Sequence, residues 1–190
     1  ALARIVGVVL PDRTFPRGMT VYDLVALGRH PHTGWQGGLA LRDRKAVDQA
    51  LGALDLVPFA PRRLGELSDG ERQRAFIARA LAQRPEIILL DEPTLHLDIN
   101  HQFEVLDLVK RLSEEEGLTV VIVSHDLPMV VKYCDRMVLI HDHRVHALGT
   151  PQEVLTPVNM RTVFNIDAVL EHDAVLNAPA VKIIGSCNRR

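Results

Sequence analysis

The chain has 190 residues, of which 47% are hydrophobic, and a formal net charge of -2. This length and composition predict one compact globular domain or one domain with a small appendage. The low net charge, with acids and bases interspersed, disfavours a broad nucleic-acid-binding face. The only cysteines, Cys134 and Cys187, argue against a disulfide framework, and no apolar run approaches the roughly 18 to 20 residues that a bilayer crossing requires. We therefore expect a protein of the reducing cytosol.

The first part of the chain is predicted to be one strand followed by helices and loops. The β-branched stretch RIVGVVLP predicts a strand that ends at Pro11. Because the chain starts at Ala1 and enters this strand directly, we expect it to be a piece of a longer protein. MTVYDLVALG predicts a helix in which Thr20 and Asp23 form a capping box and Gly28 is the C′ residue. A second helix, RDRKAVDQALGALDL, is indicated by apolar residues at helical spacing, namely Ala46, Ala50, Leu51 and Leu54.

From Ser68 onward, helices and strands alternate. A helix is predicted to run from Ser68 to about Arg84 and to be closed by Pro85. It is followed by the strand EIILL, the helix INHQFEVLDLVKRLSEEEG with Gly117 as its C′ residue, and the strand LTVVIVSH. Near-continuous apolar strands separated by helices are typical of a parallel sheet that is covered on both faces. The sequence therefore predicts an α/β fold.

The remainder of the chain is predicted to contain a short helix, DLPMVVKYCD, and two strands, RMVLI and RVHALG, joined by the turn HDH. From about Gly149 the pattern predicts short helices and one weak final strand. A metal site could be formed by His141, His143 and His146, although exposed histidines without fixed partners are more often solvated. Cys134, in its apolar helix, is predicted to be a core residue.

Two carboxylates at a strand end are the first candidate functional residues. Asp91 and Glu92 directly follow the apolar strand IILL, at the carboxyl end where open α/β sheets place their ligands. In a nucleotide hydrolase the first acid can hold Mg²⁺ and the second can polarise an attacking water. A strand that runs into an ordinary acidic turn would have the same local sequence, so the neighbouring motifs have to decide between the two interpretations.

Two further motifs lie on either side of these acids. LSDGE opens a helix with Ser68 and Gly70, and the free N–H groups of a helix N-terminus bind phosphate well. VVIVSHD places His125 where a buried strand meets a loop. Taken alone, the serine is consistent with an ordinary N-cap and the histidine with a structural role. A nucleotide site is favoured by the order of five residues on alternating elements, which are Ser68, Asp91, Glu92, Asp98 and His125.

These motifs together resemble the nucleotide-binding subunit of an ATP-binding cassette (ABC) transporter. LSDGERQR is similar to the family signature LSGGQxQR, IILLDEP to the Walker B strand, LHLD to the D-loop and SHD to the His switch. The spacing from the signature to the histidine agrees with the family, and the resemblance covers nearly the whole chain. It implies ATP and Mg²⁺ as cofactors, with Glu92 as the general base, Asp91 organising Mg²⁺ and His125 sensing the γ-phosphate.

The resemblance also implies an ATP site that is shared between two subunits of a head-to-tail homodimer. The signature residues would bind the ATP held by the other subunit, and these are Ser68, Asp69, Gly70 and Glu71. Asp98 would lie at the dimer interface. The other implied partners are integral membrane permease subunits, with a substrate-binding protein acting indirectly and no nucleic acid. The subunit would be peripheral on the cytoplasmic face of the inner (plasma) membrane.

Three departures from the family pattern affect what the chain can do. The P-loop sequence GxxxxGK[ST] is absent, so we expect the 190 residues alone not to hydrolyse ATP and the P-loop to lie upstream. Asp12 replaces the glutamine expected after the first strand, and it could still bind Mg²⁺ but would repel the γ-phosphate. Asp69 and Glu71 add negative charge to the signature. Either a nearby arginine, such as Arg72 or Arg74, compensates for this charge, or the half-site binds ATP weakly.

The expected architecture is a RecA-like parallel sheet of the P-loop NTPase type with an inserted helical subdomain, truncated at its N-terminus. Within a single ABC ATPase domain, 1–190, we assign 12–84 to the helical subdomain, 85–150 to the RecA-like core and 151–190 to a C-terminal appendage. The helical subdomain would receive the permease, through candidate contact residues that are Val21, Tyr22, Trp35 and the loop around His30.

The segments VYDLVALGRHPHTGW and GTPQEVLTPVNMRTVF are similar to subunits that energise import of iron-siderophores, haem and cobalamin. We therefore expect the ATP-hydrolysing subunit of an importer for such a metal chelate. An ABC ATPase of DNA maintenance or translation is the competing class, and it is disfavoured because the interval from Asp12 to Leu67 is short and lacks heptads. A non-hydrolysing regulatory remnant is a third alternative, which rests only on the missing P-loop.

Overall fold

The computed structural model describes residues 2–11, 14–33, 38–173 and 178–187. These residues form two compact units, Ala1–Ser124 and His125–Arg190, and each unit is described by itself. The boundary between the units differs from the expected boundaries after residues 84 and 150, so the division into subdomain, core and appendage stays a prediction. Within the described ranges, no helix is both long enough and apolar enough to cross a membrane.

The described residues of the first unit form three strands and four helices. In chain order these are β1 (Val6–Val9), α1 (Val21–Leu27), α2 (Leu41–Ala53), α3 (Asp69–Ala82), β2 (Ile87–Asp91), α4 (Ile99–Glu116) and β3 (Thr119–Val123). Short 3₁₀ turns lie at Leu2–Arg4, Val57–Phe59 and Leu64–Glu66. The strands and helices predicted for this part of the chain are all present.

The three strands form a parallel sheet in the order β1-β2-β3. Val9 of β1 pairs with Leu90 of β2, and Asp91 pairs with Val123 of β3. Because parallel strands run in the same direction, their carboxyl ends lie at one edge of the sheet, and this edge carries Asp91. The parallel sheet predicted from the apolar runs is therefore confirmed, together with the predicted position of the first acid.

The helix α3 is packed among the other elements of the first unit. It contacts α1, α2, α4 and β1, and nine of its 14 residues are buried. Several of these are alanines, whose small side chains let neighbouring backbones approach closely. The apolar side of α3 shares one core with Leu24 and Val25 of α1, Val47 of α2 and Ile88 of β2. The position of α3 is therefore fixed by contacts along most of its length.

The close contact of α1 with α3 explains why residue 28 is a glycine. Thr20 and Asp23 form the predicted capping box at the start of α1. Gly28, however, has a right-handed conformation with φ -59°, so its predicted role as a C′ residue is wrong. A Cβ at this position would lie 2.0 Å from the carbonyl oxygen of Arg79.

Gly117, by contrast, has φ 64° and ends α4 in the left-handed conformation, as predicted.

A buried ion pair joins α1, α2 and α3. Arg29 and Asp43 are 5% and 1% exposed, and Arg29 Nη2 lies 3.0 Å from Asp43 Oδ1. Arg29 Nη1 also donates to the carbonyl oxygen of Ala82, the last residue of α3. Burial opposes ionisation of Asp43, but hydrogen bonds from Arg29 and from the Ala40 N–H lower its pKa below the ordinary value. The pair therefore stays charged and holds the three helices together at one point.

The second unit contains two antiparallel hairpins and several short helices. Its elements are α5 (Leu127–Tyr133), β4 (Met137–His141), β5 (Arg144–Gly149), α6 (Pro151–Val154), α7 (Pro157–Asn159), a π-helical turn (Met160–Phe164), β6 (Ile166–Asp173) and β7 (Ala178–Ser186). The predicted strands β4 and β5 pair with each other. The prediction of one weak final strand is wrong, because β6 and β7 form a second hairpin.

The second hairpin is stabilised by a small core. Ala168 is buried together with Leu127, and Ile166 and Leu170 of the same strand pack against this cluster. The sequence of β6 has polar residues near both ends and only a short apolar run, 168–170, which explains why no strand was predicted here. Cys134 is partly exposed, and its prediction as a core residue is therefore wrong.

Replacing Gly28 with alanine tests the close approach of α1 and α3. We expect Gly28→Ala to lower the free energy of unfolding by about 3 kcal/mol, because the added Cβ would force two backbones apart. Gly52→Ala is the matched control, since Gly52 lies within α2 and a Cβ there meets no atom within 4 Å. That substitution should raise stability by up to about 1 kcal/mol. Chemical denaturation followed by circular dichroism measures both, and equal effects would contradict the packing argument.

Candidate functional site

The start of α3 is held by a reciprocal capping box. Ser68 Oγ accepts a hydrogen bond from the Glu71 N–H at 3.2 Å, and the Ser68 N–H donates to Glu71 Oε2 at 2.8 Å. Burial opposes ionisation of Glu71, but these bonds with Ser68 lower its pKa below the ordinary value. Glu71 is therefore ionised, and its negative charge interacts favourably with the positive end of the α3 dipole.

The second acid of this turn, Asp69, is paired with an arginine. Arg72 Nη1 lies 2.9 Å from Asp69 Oδ1, and the same guanidinium donates to the carbonyl oxygens of Leu64 and Leu67. Of the two arginines considered from the sequence, Arg72 and Arg74, it is Arg72 that contacts Asp69. The extra charge that Asp69 brings to the signature is thus offset locally by a side chain with three hydrogen-bond partners.

The strand β2 ends on Asp91, and Glu92 turns the chain out of the sheet. Glu92 has φ 46°, in the left-handed region that non-glycine residues rarely adopt. Its N–H donates to the Val123 carbonyl oxygen at 2.9 Å, and both acids are partly buried. Backbone strain of this kind costs on the order of 1–3 kcal/mol and is concentrated at functional sites. The two carboxylates therefore lie at the sheet edge where the sequence predicts a ligand.

The helix α4 begins at Asp98, and both carboxylate oxygens of this residue contact His101. Oδ1 accepts from the His101 N–H at 2.9 Å, and Oδ2 lies 2.7 Å from His101 Nδ1. Hydrogen bonds from the His101 backbone and ring lower the pKa of Asp98, and the bond to Asp98 raises the pKa of His101. Because an ionised carboxylate can only accept, Nδ1 carries the proton in this contact.

His101 also packs against the first turn of α3. A Cβ at Gly70 would lie 2.6 Å from His101 Cδ2 and 3.0 Å from its Cγ, so a side chain at position 70 would have to displace the His101 ring. His101 was not among the residues predicted from the sequence. The sequence contained one signal for this residue: His101 comes three residues after Asp98, so its ring can reach the Asp98 carboxylate. The structure thus connects the motifs LSDG and LHLD through a residue that belongs to neither.

The two remaining predicted site residues are His125 and Asp12. His125 is the first residue of the second unit, two residues after β3 ends, and its side chain is exposed. Asp12 lies outside the described residues. The proposed roles of both residues therefore rest on the sequence resemblance.

The candidates for contact with a permease differ in exposure. Val21 is fully buried in the core, so its prediction as a contact residue is wrong. Tyr22 is partly buried and His30 is exposed, which leaves both available. Trp35 lies outside the described residues.

Two histidines of the β4–β5 hairpin, His141 and His146, have protein partners. The rings of His141 and His146 pack edge to face with centroids 5.9 Å apart, and His146 Nε2 lies 3.1 Å from Asn159 Oδ1. Among the side chains that the structure describes, no three His, Cys, Asp or Glu residues are grouped so that they could hold a metal ion. The interpretation of His141, His143 and His146 as a metal site gains no support from this arrangement.

Comparison with known proteins identifies the family. Residues 1–95, half of the chain, match the family described as ABC transporter. This stretch includes the signature turn at Ser68 and the carboxylate pair at Asp91. The chain belongs to the ABC transporter family.

Members of the ABC transporter family with similar sequences include importer subunits. The petrobactin import ATP-binding protein FpuC of Bacillus anthracis is 47% identical over 137 residues, which are 72% of this chain and 50% of FpuC. The cobalamin import ATP-binding protein BtuD of Halobacterium salinarum is 43% identical over 161 residues, which are 85% of this chain and 40% of BtuD. The chain thus spans about half the length of the curated relatives it matches.

Solved ABC structures have the same fold. A metal-chelate type ABC transporter in an inward-facing conformation matches with a TM-score of 0.87 and 29% identity, over 95% of this chain and 73% of the other. The dimeric ATP-binding cassette MJ0796, in a post-hydrolysis state with ADP and Pi, matches with a TM-score of 0.64 and 31% identity, over 78% and 64%. The predicted ABC ATPase fold is therefore confirmed.

The contact between Asp98 and His101 predicts a pH-dependent stability. Because the pKa of His101 is raised, its contribution is complete below the ordinary histidine pKa and is lost as the pH rises through the folded-state value. Because the pKa of Asp98 is lowered, its contribution is complete above the ordinary aspartate pKa and is lost as the pH falls through the folded-state value. We expect the His101 ring protons to titrate in NMR above the ordinary pKa of about 6.5. Asp98→Asn should lower that midpoint, and an unchanged midpoint would contradict the contact.

Proposed function

We propose that the protein is the ATP-binding and ATP-hydrolysing subunit of an ABC importer that energises uptake of a metal chelate, such as an iron-siderophore, haem or cobalamin. The observation that carries this proposal is the carboxylate pair Asp91 and Glu92 at the carboxyl end of a parallel strand, on a strained turn. The similarity to petrobactin and cobalamin import proteins and to a metal-chelate type transporter supports the substrate class.

The two carboxylates have separate tasks in this proposal. Asp91, the last residue of β2, would hold Mg²⁺ through water, since carboxylate and water oxygens are the ligands this ion prefers. Glu92, which the left-handed turn takes out of the strand, is the general base that accepts a proton from the attacking water. His125 contacts the γ-phosphate as a hydrogen-bond donor. Bound Mg²⁺ supplies positive charge next to the phosphates.

The first turn of α3 fits the terminal phosphate of ATP. A 14-residue helix presents the N–H groups of its first turn and the positive end of its dipole at this point. The bond from Arg72 offsets the charge of Asp69, which supports anion binding here. In the proposed head-to-tail homodimer, Asp98 lies at the interface. The residues that bind the ATP of the other subunit are Ser68, Asp69, Gly70 and Glu71.

The remaining phosphates need donors that these residues do not include. The sequence GxxxxGK[ST] is absent from the 190 residues, and this motif supplies the lysine and the amide cradle for the β- and γ-phosphates. Asp12, in place of the glutamine of the family, is a proposed additional ligand of Mg²⁺. In this proposal the described residues supply one carboxylate for Mg²⁺, from Asp91, and helix N–H groups for the terminal phosphate, but not the donors that the rest of the nucleotide needs.

The proposed subunit works within a complex. The dimeric state of MJ0796 with ADP and Pi supports a homodimer. The importer relatives support permease subunits as partners, and we propose that these dock on the helical subdomain at 12–84. A substrate-binding protein acts indirectly, and nucleic acid is not a partner. The location that follows is peripheral, on the cytoplasmic face of the inner (plasma) membrane.

ATP hydrolysis by the full-length protein tests the proposed function. Glu92→Gln should lower kcat by about 10²- to 10⁴-fold, because the amide cannot take the proton of the attacking water. Glu86→Gln is the matched control, since Glu86 is exposed and precedes the same strand at its opposite end, and kcat should be unchanged. Phosphate release measures both. Wild-type turnover in Glu92→Gln would remove Glu92 from the mechanism, and an inert full-length protein would refute the ATPase function.

The 190-residue chain alone should release no phosphate from ATP, because it lacks the P-loop sequence. The same phosphate-release assay checks this expectation. Turnover by the purified 190 residues that Glu92→Gln abolishes would contradict it.

A further inference from the structure

His101 lies between the N-terminal turns of α3 and α4 and contacts both. Its backbone N–H and its ring Nδ1 bond to the two carboxylate oxygens of Asp98. The other side of the ring, at Cδ2, occupies the space beside Gly70. The His101 side chain is 35% exposed, so its position is not explained by burial in the core.

We propose that His101 is a positioning residue, which fixes the carboxylate of Asp98 relative to the signature turn at Gly70. The inference rests on the proposed function, in which both segments serve an ATP site shared between two subunits. Because His101 contacts both segments, it fixes the position of Asp98 relative to the signature turn. Movement of the signature turn onto a nucleotide then carries Asp98 with it.

Helix capping alone would not require a histidine at this position. The cap of α4 is formed by Asp98 Oδ1 and the backbone N–H of residue 101, which any amino acid except proline supplies. The bond from ring Nδ1 to Oδ2 is an additional contact, and it fixes the rotation of the carboxylate. The identity of the side chain therefore affects where the charge of Asp98 points and not whether the helix starts there.

The packing of the ring restricts relative movement of the two turns. Since His101 Cδ2 would lie only 2.6 Å from a Cβ at Gly70, the ring occupies the space beside the first turn of α3 and limits the approach of that turn to α4. The chain just before Asp98 is also held, since Gln102 Nε2 donates to the Leu97 carbonyl oxygen at 3.1 Å. The carboxylate is thus attached to a segment that is supported on both sides.

Two substitutions separate the hydrogen bond of the ring from its packing. His101→Phe keeps an aromatic edge against Gly70 but has no donor for Asp98. His101→Asn provides a side-chain N–H in the place of Nδ1 but leaves the space of the ring empty. Asn100→Ala is the control from the same helical turn, because the Asn100 side chain bonds to Glu104 instead.

ATP turnover by the full-length protein, together with the melting temperature of each variant, is the readout. We expect His101→Phe to lower kcat about tenfold or more, because misplacement of a positioned group slows the chemical step. The KM for ATP and the melting temperature should stay close to wild type. His101→Asn, which restores the donor for Asp98 but not the packing beside Gly70, should recover kcat only in part, and Asn100→Ala should match wild type. If His101→Phe fails to fold, His101→Leu takes its place with the same expected result.

The outcomes separate this inference from the proposed function. Wild-type kcat in His101→Phe, or a loss in His101→Asn as large as in His101→Phe, would overturn the positioning role while the ATPase function stands. If both His101→Phe and His101→Leu lower the melting temperature together with kcat, His101 has a structural role only. This result would also overturn the positioning role. A wild-type full-length protein that does not hydrolyse ATP would refute the proposed function, and this inference with it.

Discussion

The burial of α3 among its neighbours is the constraint on which the first unit depends. At Gly28 the backbone of α1 comes so close to α3 that no side chain fits between them. The next residue, Arg29, forms a buried pair with Asp43 and is bonded to Ala82, the last residue of α3. A helix that is fixed along its length presents its first turn in one position, and this preorganisation is what an anion site needs. The capping box at Ser68 then defines which groups that turn exposes.

The candidate residues extend along the chain from this turn to the edge of the sheet and the start of α4. The strand β2 leaves the core at the carboxylate pair, and the strained residue Glu92 directs the chain into the turn before α4. Leu97 anchors that turn in the core, Asp98 starts the next helix, and His101 returns to Gly70. The chain that follows the two acids is therefore held in the core at Leu97 and contacts the signature turn through His101.

Local sequence signals predicted most elements of the fold and the strand end that carries the two acids Asp91 and Glu92. Apolar runs were sufficient for the three parallel strands, and capping residues such as Thr20 and Ser68 were sufficient for the helix starts. The failures concern residues whose role is set by neighbours distant in the sequence. Gly28 has the sequence pattern of a helix end, but a glycine is needed there because the α3 backbone lies so close. Val21 was predicted to be a surface residue of α1 but is buried in the core. The contacts of His101 are with residues of two different motifs. The bond of His101 to Asp98 is local, but the contacts with residues distant in the sequence leave no local pattern.

The central claim is that one ATP is bound between the signature turn of one subunit and the carboxylates of the other. Light scattering of the full-length Glu92→Gln protein measures this most directly, because the variant should bind ATP without consuming it. Addition of ATP and Mg²⁺ should convert the protein to a dimer, whereas ADP and Mg²⁺ should not. A variant that binds ATP with Mg²⁺ but shows no increase in mass would contradict the shared site.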